Sequence, residues 1–396
     1  MTKTPVYCDY NAGAPIRAEA AVAMSRALAA GGNASSVHSV GRRMRAMIED
    51  ARERIAGALD ASSENVVFTS GATEALHLAL DAFEGHSNRV RAKTPVNKHD
   101  LDALDPLSPA SLIVAECEHD ALFEEGKQRF MLRAPLLNGG LVDVDALEGV
   151  LRVAEKPVLV AVQLANNETG VIQPIAKIAA LCREHGALLL VDTAQAFGRI
   201  PVSIADLDAT YLVVSSHKLG GPPGAGALVL APGAPFVTTR FGGGQERGRR
   251  PGTENGAAVV GFATAVEWAL KDRDNDAKRL AAMRDRFEAA LPKDAVVFGA
   301  SAPRLPNTSN FALPGLNAET AVIAMDLEGV AISSGAACSS GKVRSSRVLA
   351  AMGVAPELAK AALRVSFGHE SKEADVDEAL AALVKISSRR TREAAA

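Results

Sequence analysis

Aromatic side chains are scarce in this chain. Phe, Tyr and Trp make up 4% of its 396 residues, with a single Trp, which argues against a surface built to stack nucleic-acid bases. Net charge is equally slight: 43 basic residues against 46 acidic ones leave −3, so neither nucleic acid nor an anionic membrane is favoured as a partner. Cysteine occurs four times, at Cys8, Cys117, Cys182 and Cys338, with no Cys-x-x-Cys pair. Zinc-ribbon and thioredoxin-like sites therefore fall away, no metal is expected, and a reducing, cytoplasmic setting is the default. No apolar run approaches the roughly 18 residues of a membrane helix, and residues 1–7 lack the apolar stretch of a signal peptide.

What is abundant is small and apolar. Hydrophobic residues reach 48% and glycine 33 positions, enough for a large core with tight strand-to-helix turns, in two or three domains or one large domain with a satellite. Short β-branched runs read as buried strands at Val66-Val-Phe68, Leu112-Ile-Val-Ala115, Val158-Leu-Val-Ala-Val-Gln-Leu164, Ala187-Leu-Leu-Leu-Val191, Tyr211-Leu-Val-Val-Ser215 and Gly226-Ala-Leu-Val-Leu230. Helical spacing follows Arg17 and covers residues 40–59, 141–153 and 175–184. Nearly every strand ends in polar residues, the pattern of an α/β sheet with a functional edge. Residues 84–111 turn polar and read as a loop or decorated excursion. Helix is expected over 258–270, then a separate charged helix over 271–290. Beyond that the signals become irregular, as in a smaller α+β domain: a strand at 308–312, helices over 318–328 and 376–386, and a fraying end from 387.

Four stretches carry chemistry. Ser215-Ser-His-Lys218 ends a strand and meets Leu219-Gly-Gly-Pro-Pro-Gly224. A lysine there is either an ordinary surface residue or the amine that forms a Schiff base with a carbonyl cofactor. Thr69-Ser-Gly-Ala-Thr-Glu74 lies between strand and helix, where free N–H groups and the helix dipole converge on an anion, or where Ser and Thr merely cap the helix. Cys338 sits among Ser, Gly and Ala, unlike the bulky apolar neighbours of a structural cysteine. Arg364 lies in an apolar run and needs a partner, either a protein carboxylate or a ligand's. His38, in a polar loop, reads as a surface, capping or site residue.

Together these stretches resemble the cysteine desulfurases of the class V aminotransferase superfamily, the fold-type I enzymes of pyridoxal 5'-phosphate. The resemblance runs in order through Asp9-Tyr-Asn-Ala, Asn33-Ala-Ser-Ser-Val-His38, Ser70-Gly-Ala-Thr-Glu74, Glu118-His119 and Ala165-Asn-Asn-Glu-Thr-Gly-Val171. It continues through Val191-Asp-Thr-Ala-Gln195, Ser215-Ser-His-Lys218, Arg250-Pro-Gly-Thr-Glu-Asn255, Ser333-Ser-Gly-Ala-Ala-Cys-Ser-Ser-Gly341 and Arg364-Val-Ser-Phe-Gly368. The context of Cys338 is that of the NifS/IscS-like group. Departures occur at Gly13-Ala-Pro15, in the 84–111 excursion, at Gly341-Lys-Val-Arg-Ser-Ser346 and at His369. They bear on the acceptor protein and the pathway.

The resemblance implies an α/β fold: a large domain with a mostly parallel seven-stranded sheet over residues 16–265, and a small α+β domain from residues 1–15 and 266–396. It implies a transferase that turns L-cysteine into L-alanine and leaves the sulfur as a persulfide on Cys338. The sulfur then passes to an acceptor protein in iron–sulfur cluster assembly or thiolation. Lys218 becomes the Schiff-base lysine and proton shuttle, Asp192 the partner of the pyridinium nitrogen, Gln195 the partner of the phenolic oxygen, and His119 the ring stacked on the cofactor's face. Ala72, Thr73, Ser215 and His217 take the phosphate, joined by Thr253 from the second subunit of a homodimer. Asn167 and Arg364 take the substrate carboxylate. A selenocysteine lyase, another class V enzyme and a non-catalytic scaffold for sulfur-transfer proteins are the alternatives.

Overall fold

A computed structural model describes residues 5–91, 110–127, 129, 131–335 and 346–393. Strand β1 (Val6–Tyr7) and helices α1 (Ala18–Ala30) and α2 (Ser39–Gly57) come first. Strands and helices then alternate: β2 (Val66–Thr69), α3 (Ala72–Arg91), β3 (Ser111–Ala115), α4 (Asp120–Gly126), β4 (Met131–Ala134), α5 (Val144–Val153), β5 (Val158–Gln163), α6 (Ile175–His185) and β6 (Leu188–Asp192). Strands β7 (Tyr211–Ser215) and β8 (Gly226–Leu230) lead to α7 (Gly256–Ala289), β9 (Val296–Val297), β10 (Thr308–Ala312) and α8 (Ala318–Leu327). The remainder is β11 (Val330–Ala331), β12 (Ser333–Ser334), α9 (Arg347–Ala351), α10 (Pro356–Lys360), β13 (Ala362–Ser366) and α11 (Glu373–Glu393).

Seven strands form one sheet in the order β2-β8-β7-β6-β5-β3-β4. Neighbours from β7 to β4 are parallel, and β8 runs antiparallel to both β7 and β2. The apolar runs are continuous because both faces are covered. In β7, Leu212 and Val214 enter one core while Tyr211 and Val213 enter the other, the period-2 alternation of a strand. Each such side chain contributes roughly 1.5–3 kcal/mol when fully buried. The sheet's order also collects the C-terminal ends of β3, β5, β6 and β7 along one edge, where the loops can meet a ligand.

A four-stranded sheet, β12-β13-β10-β9, and the parallel pair β1-β11 make up the other sheets among the described residues, packed around a separate core that includes Phe287, Phe311 and Phe367. Helix α7 joins the two cores. Its first half gives Ala258, Phe262 and Val266 to the main core, and its second gives Leu280, Met283 and Phe287 to the other.

Four boundaries differ from the sequence expectation. The apolar and charged halves of 258–290 form one helix of 34 residues, not two; between Phe262 and Ala290 there is neither Gly nor Pro to break it, so a change of polarity marks a change of neighbour. The excursion expected from residue 84 begins later, since α3 continues to Arg91; residues 92–109 lie outside the described residues. Helix α5 starts at Val144, because Asp143 caps it by accepting the Ala146 N–H at 3.0 Å. Helix α11 continues to Glu393 through the end expected to fray.

Candidate active site

The loops at the sheet's C-terminal edge enclose a cavity of about 470 Å³, within the roughly 300–1,000 Å³ of small-molecule sites. Lys218 enters from a single turn of 3-10 helix, Ser216–Lys218, directly after β7. Its ammonium donates to the carbonyls of Asn11 at 2.7 Å and Ala12 at 2.9 Å. Gln195, also on the cavity wall, donates through Nε2 to the same Asn11 carbonyl at 2.9 Å and accepts from Arg199 through Oε1. Asn11 is fixed in turn by bonds from its amide to the Asn167 carbonyl and to Thr308 Oγ1. The N-terminal segment thus forms one wall of a pocket whose other walls come from residues distant in sequence, from Ser70 to Gly224.

Asp192 is the last residue of β6 and 7% exposed. Burial pushes its carboxyl up from the usual range, while the Ala194 N–H at 2.8 Å and the charges of His119 and Lys218 pull the other way. His119 caps α4, its Nδ1 accepting the Ala121 N–H at 3.1 Å. That bond assigns the proton of the neutral ring to Nε2 and fixes the plane of an imidazole on the cavity wall.

The anion site predicted between β2 and α3 is present as a helix N-terminus. Ala72 opens α3, and Ala72, Thr73 and Ser70 line the cavity; the first N–H groups of a helix have no partner within it. Glu74 reaches back to accept the Ser70 N–H at 2.6 Å, as in a capping box. Burial works against its ionisation, but bonds from Arg250 at 2.9 and 3.2 Å and from Ser70 outweigh this and hold it at about 2. Gly226 lets the turn lie on the sheet: a Cβ there would come within 2.7 Å of Gly71 Cα. Across the turn, Ser215 Oγ and His217 Nδ1 share a hydrogen bond of 3.0 Å. Burial, with the charges of Lys218 and Arg199, lowers His217 to about 4 and leaves it neutral near pH 7.

Nine of the expected site residues line this cavity: Ala72 and Thr73 from α3, His119, Asn167 and Gln195 from the loops, Asp192 and Ser215 at the ends of β6 and β7, and His217 and Lys218 after β7. Arg364 does not. It is 1% exposed in β13, donates to Asp9 Oδ1 at 2.6 Å and to the Asn167 carbonyl at 3.0 Å, and its Nε has no hydrogen-bond partner among the described residues. Its partner is thus a protein carboxylate, and its link to the cavity is the backbone of Asn167. Thr253 lies in the loop before α7, away from the cavity wall. His38 caps α2 by accepting the Gly41 N–H at 3.3 Å. Cys338 lies outside the described residues.

Four further groups belong to the site's surroundings. Asn11 holds Lys218. Half-buried Arg199 donates to the carbonyls of Tyr10, Gln195 and Lys218, and desolvation together with the charge of Arg364 lowers it to about 9. Glu118, next to His119, is 1% exposed; it accepts the Gln163 N–H through Oε1, and its Oε2 has no partner among the described residues. Burial, then the charge of Asp192, pushes Glu118 up to about 8. Glu168, next to Asn167, accepts from Ser346 Oγ, and burial raises it to about 7. The one sequence signal for these carboxyls is an acidic residue in the polar loop after an apolar strand, three positions past β3 for Glu118 and five past β5 for Glu168.

The sequence matches the aminotransferase class-V family model over residues 6–379. A curated cysteine desulfurase IscS of Dictyoglomus turgidum is 35% identical over 97% of this chain and 95% of the relative. An IscS-like cysteine desulfurase of Mycobacterium tuberculosis is 36% identical over 98% of each. Among solved structures, a NifS-like protein from Rickettsia africae superposes with a TM-score of 0.86 at 28% identity, over 97% of this chain and 99% of that one.

Proposed function

The chain belongs to the class V aminotransferase family, in its NifS/IscS-like group, and from that premise we propose how its pocket works as the active site of a cysteine desulfurase. It is a pyridoxal 5'-phosphate-dependent enzyme that converts L-cysteine to L-alanine. One observation carries the assignment of the site: a lysine amine, a buried carboxylate and a helix N-terminus face a single cavity of about 470 Å³. Those donors fit the cofactor's three ends. Asp192 suits a protonated ring nitrogen, because a cation there would offset the burial that now raises its carboxyl. His119, fixed by α4, suits the ring face, and Gln195 the phenolic oxygen. The N–H groups of Ala72 and Thr73 suit the phosphate, with Ser215 and neutral His217 beside them. Thr253 completes that site from the second subunit of a homodimer.

Pyridoxal 5'-phosphate, when bound, supplies an aldehyde that condenses with amines and a ring that withdraws electrons from the substrate's α-carbon. The protein's own groups do the rest. Asn11 and Ala12 aim the Lys218 amine at the cavity, where it takes and returns the α-proton. Asn167 and Arg364 orient the substrate carboxylate, with Asp9 holding the guanidinium until substrate arrives. Cys338, as thiolate, attacks the substrate sulfur. The carbon–sulfur bond breaks, its electron pair goes to the β-carbon, which takes a proton, and Cys338 keeps the sulfur as a persulfide. A sulfur-acceptor protein of iron–sulfur cluster assembly then collects it in the cytoplasm. We place the division between the cofactor-binding domain and the small domain at residues 265–266, inside α7.

The test is visible absorbance of the purified protein followed by alanine release on adding L-cysteine. Lys218→Ala should lose the absorbance of the lysine-bound cofactor. Cys338→Ser should keep the absorbance and lose desulfuration. An unchanged spectrum in the first variant overturns the assignment of Lys218, and a wild-type rate in the second overturns that of Cys338.

A further inference from the structure

The end of the cavity suited to the phosphate is built around a carboxylate. Glu74 lies on the cavity wall beside Ser70 and Thr73. It accepts the Ser70 N–H at 2.6 Å, and Thr69 Oγ1 donates to the Gly71 carbonyl at 2.9 Å, so side chains pin the turn between β2 and α3. Arg250 meets the carboxylate with two bonds, Nε to Oε1 at 2.9 Å and Nη2 to Oε2 at 3.2 Å. That is the fork geometry in which a guanidinium holds a carboxylate best. A second cation, Arg240, stands 3.5 Å from Oε1. Asp81 shares Arg240 and also pairs with Arg129, which in turn meets Glu84 and Glu125. Opposite charges thus alternate along α3, and of these groups it is Glu74 that reaches the cavity wall.

We infer that Glu74 and Arg250 are positioning residues for the cofactor's phosphate: the carboxylate fixes the turn whose N–H groups meet the phosphate, and the guanidinium cancels the charge that would repel it. The difficulty they resolve is one of like charges. A helix N-terminus attracts an anion, but two anions at one end of a cavity repel each other, and more strongly where water is partly excluded. Glu74 and Arg250 keep 17% and 22% of their side-chain surface exposed, so solvent screens them less than an exposed pair. The bonds from Arg250 and Ser70 hold Glu74 near 2. Protonation therefore does not remove its charge at neutral pH, and a cation has to offset it. The gain from a carboxylate here is the strength of a charge-assisted bond to the Ser70 N–H. Arg250 also lies three residues before Thr253, so the same pair ties the loop that precedes α7 to this turn.

This rests on the cavity holding pyridoxal 5'-phosphate, and pyridoxal, the same molecule without its phosphate, separates the two questions. Visible absorbance titrations of the cofactor-free full chain give a Kd for each. Arg250→Ala leaves Glu74 with Arg240 alone, which Asp81 already shares. It should weaken pyridoxal 5'-phosphate about tenfold and leave pyridoxal within about twofold of wild type. Glu74→Gln keeps an oxygen for the Ser70 N–H and loses the charge, so it should bind pyridoxal 5'-phosphate no more than about twofold weaker than wild type. Glu74→Ala loses both and should weaken it about tenfold, again with pyridoxal little changed. Arg250→Ala combined with Glu74→Gln should recover most of the loss seen in Arg250→Ala, because the repelling charge has gone with its partner. Equal weakening of both compounds would mean a general loosening of the pocket and overturn the inference. A double variant no tighter than Arg250→Ala would also overturn it, since Arg250 would then act through the Thr253 loop and not through the charge of Glu74. So would full affinity for pyridoxal 5'-phosphate in Arg250→Ala and Glu74→Ala. Wild-type protein that bound neither compound would overturn the cofactor assignment itself, and the inference with it.

Discussion

Burial decides which thiols and acids of this protein can react. Cys8, Cys117 and Cys182 are at most 2% exposed, and burial, with nearby acidic groups, pushes each thiol up to about 12. At pH 8 these three remain protonated and sealed, so they are poor nucleophiles. Of the four cysteines in the chain, Cys338 is left to react. An aromatic disulfide reagent at pH 8 should therefore label one thiol in the native protein and four in urea, and Cys338→Ser should give none and three. A second native equivalent would show that a core thiol opens to solvent. The same contrast sets what can be read from sequence. The small-residue context of Cys338 and the strand-end position of Lys218 are legible because the chemistry is local. The roles of Asn11, Glu118 and Glu168 are not, because each depends on a partner more than 40 residues distant. Arg364 is the intermediate case: the sequence demands a partner, and only the fold names it as Asp9, 355 positions away.

Elements were legible where a run is uniform and obscure where one element serves two neighbours. Six of the seven strands of the main sheet stand out because burial on both faces makes them mainly apolar, while β4, with Arg133 exposed, does not. Helix α7 does not, since its two halves face different cores. The exit of β13 is a second such junction. Gly368 accepts from Arg279 of α7 at 3.1 Å, and its N–H donates to Ser371 Oγ at 2.9 Å. Tyr10, 3% exposed, lies so close that a Cβ on Gly368 would fall 1.8 Å from a ring carbon. Tyr10 also takes a bond from Arg199 through its carbonyl and precedes Asn11. Gly368→Ala should thus destabilise the protein by about 3 kcal/mol, the upper range for overpacking, seen as a lower urea midpoint at unchanged slope. Combined with Tyr10→Leu it should cost less than the sum of the two single changes. Strict additivity would show that the ring is not what the added methyl meets.

At the scale of the molecule, titratable groups are buried along the sheet's functional edge and the seam between the two cores, and they set how stability follows pH. Glu118 and Glu168 are raised by burial from 4.5 to about 8 and about 7, and Asp192 is raised in the same direction. Between 4.5 and those folded values the native chain holds protons that the unfolded chain has released, so stability falls as pH rises through that window. His217 and His369 are lowered by burial from 6.5 to about 4. Between 4 and 6.5 the unfolded chain binds protons that the native chain refuses, so their effect is the opposite: stability rises with pH. The two pairs offset each other from about 4.5 to 6.5. Above 6.5 the histidines are neutral in both states and the carboxyls act alone, at roughly 1.4 kcal/mol per pH unit for each proton still held. The urea midpoint of the cofactor-free protein should therefore be nearly flat across the acidic window and fall between pH 6.5 and 8. Glu118→Gln with Glu168→Gln, which keeps both sites neutral at every pH, should flatten that fall. A wild-type midpoint that stays flat from pH 6.5 to 8 would mean that both carboxyls are already ionised in the fold, and that the sheet's edge carries a net negative field before any cofactor arrives.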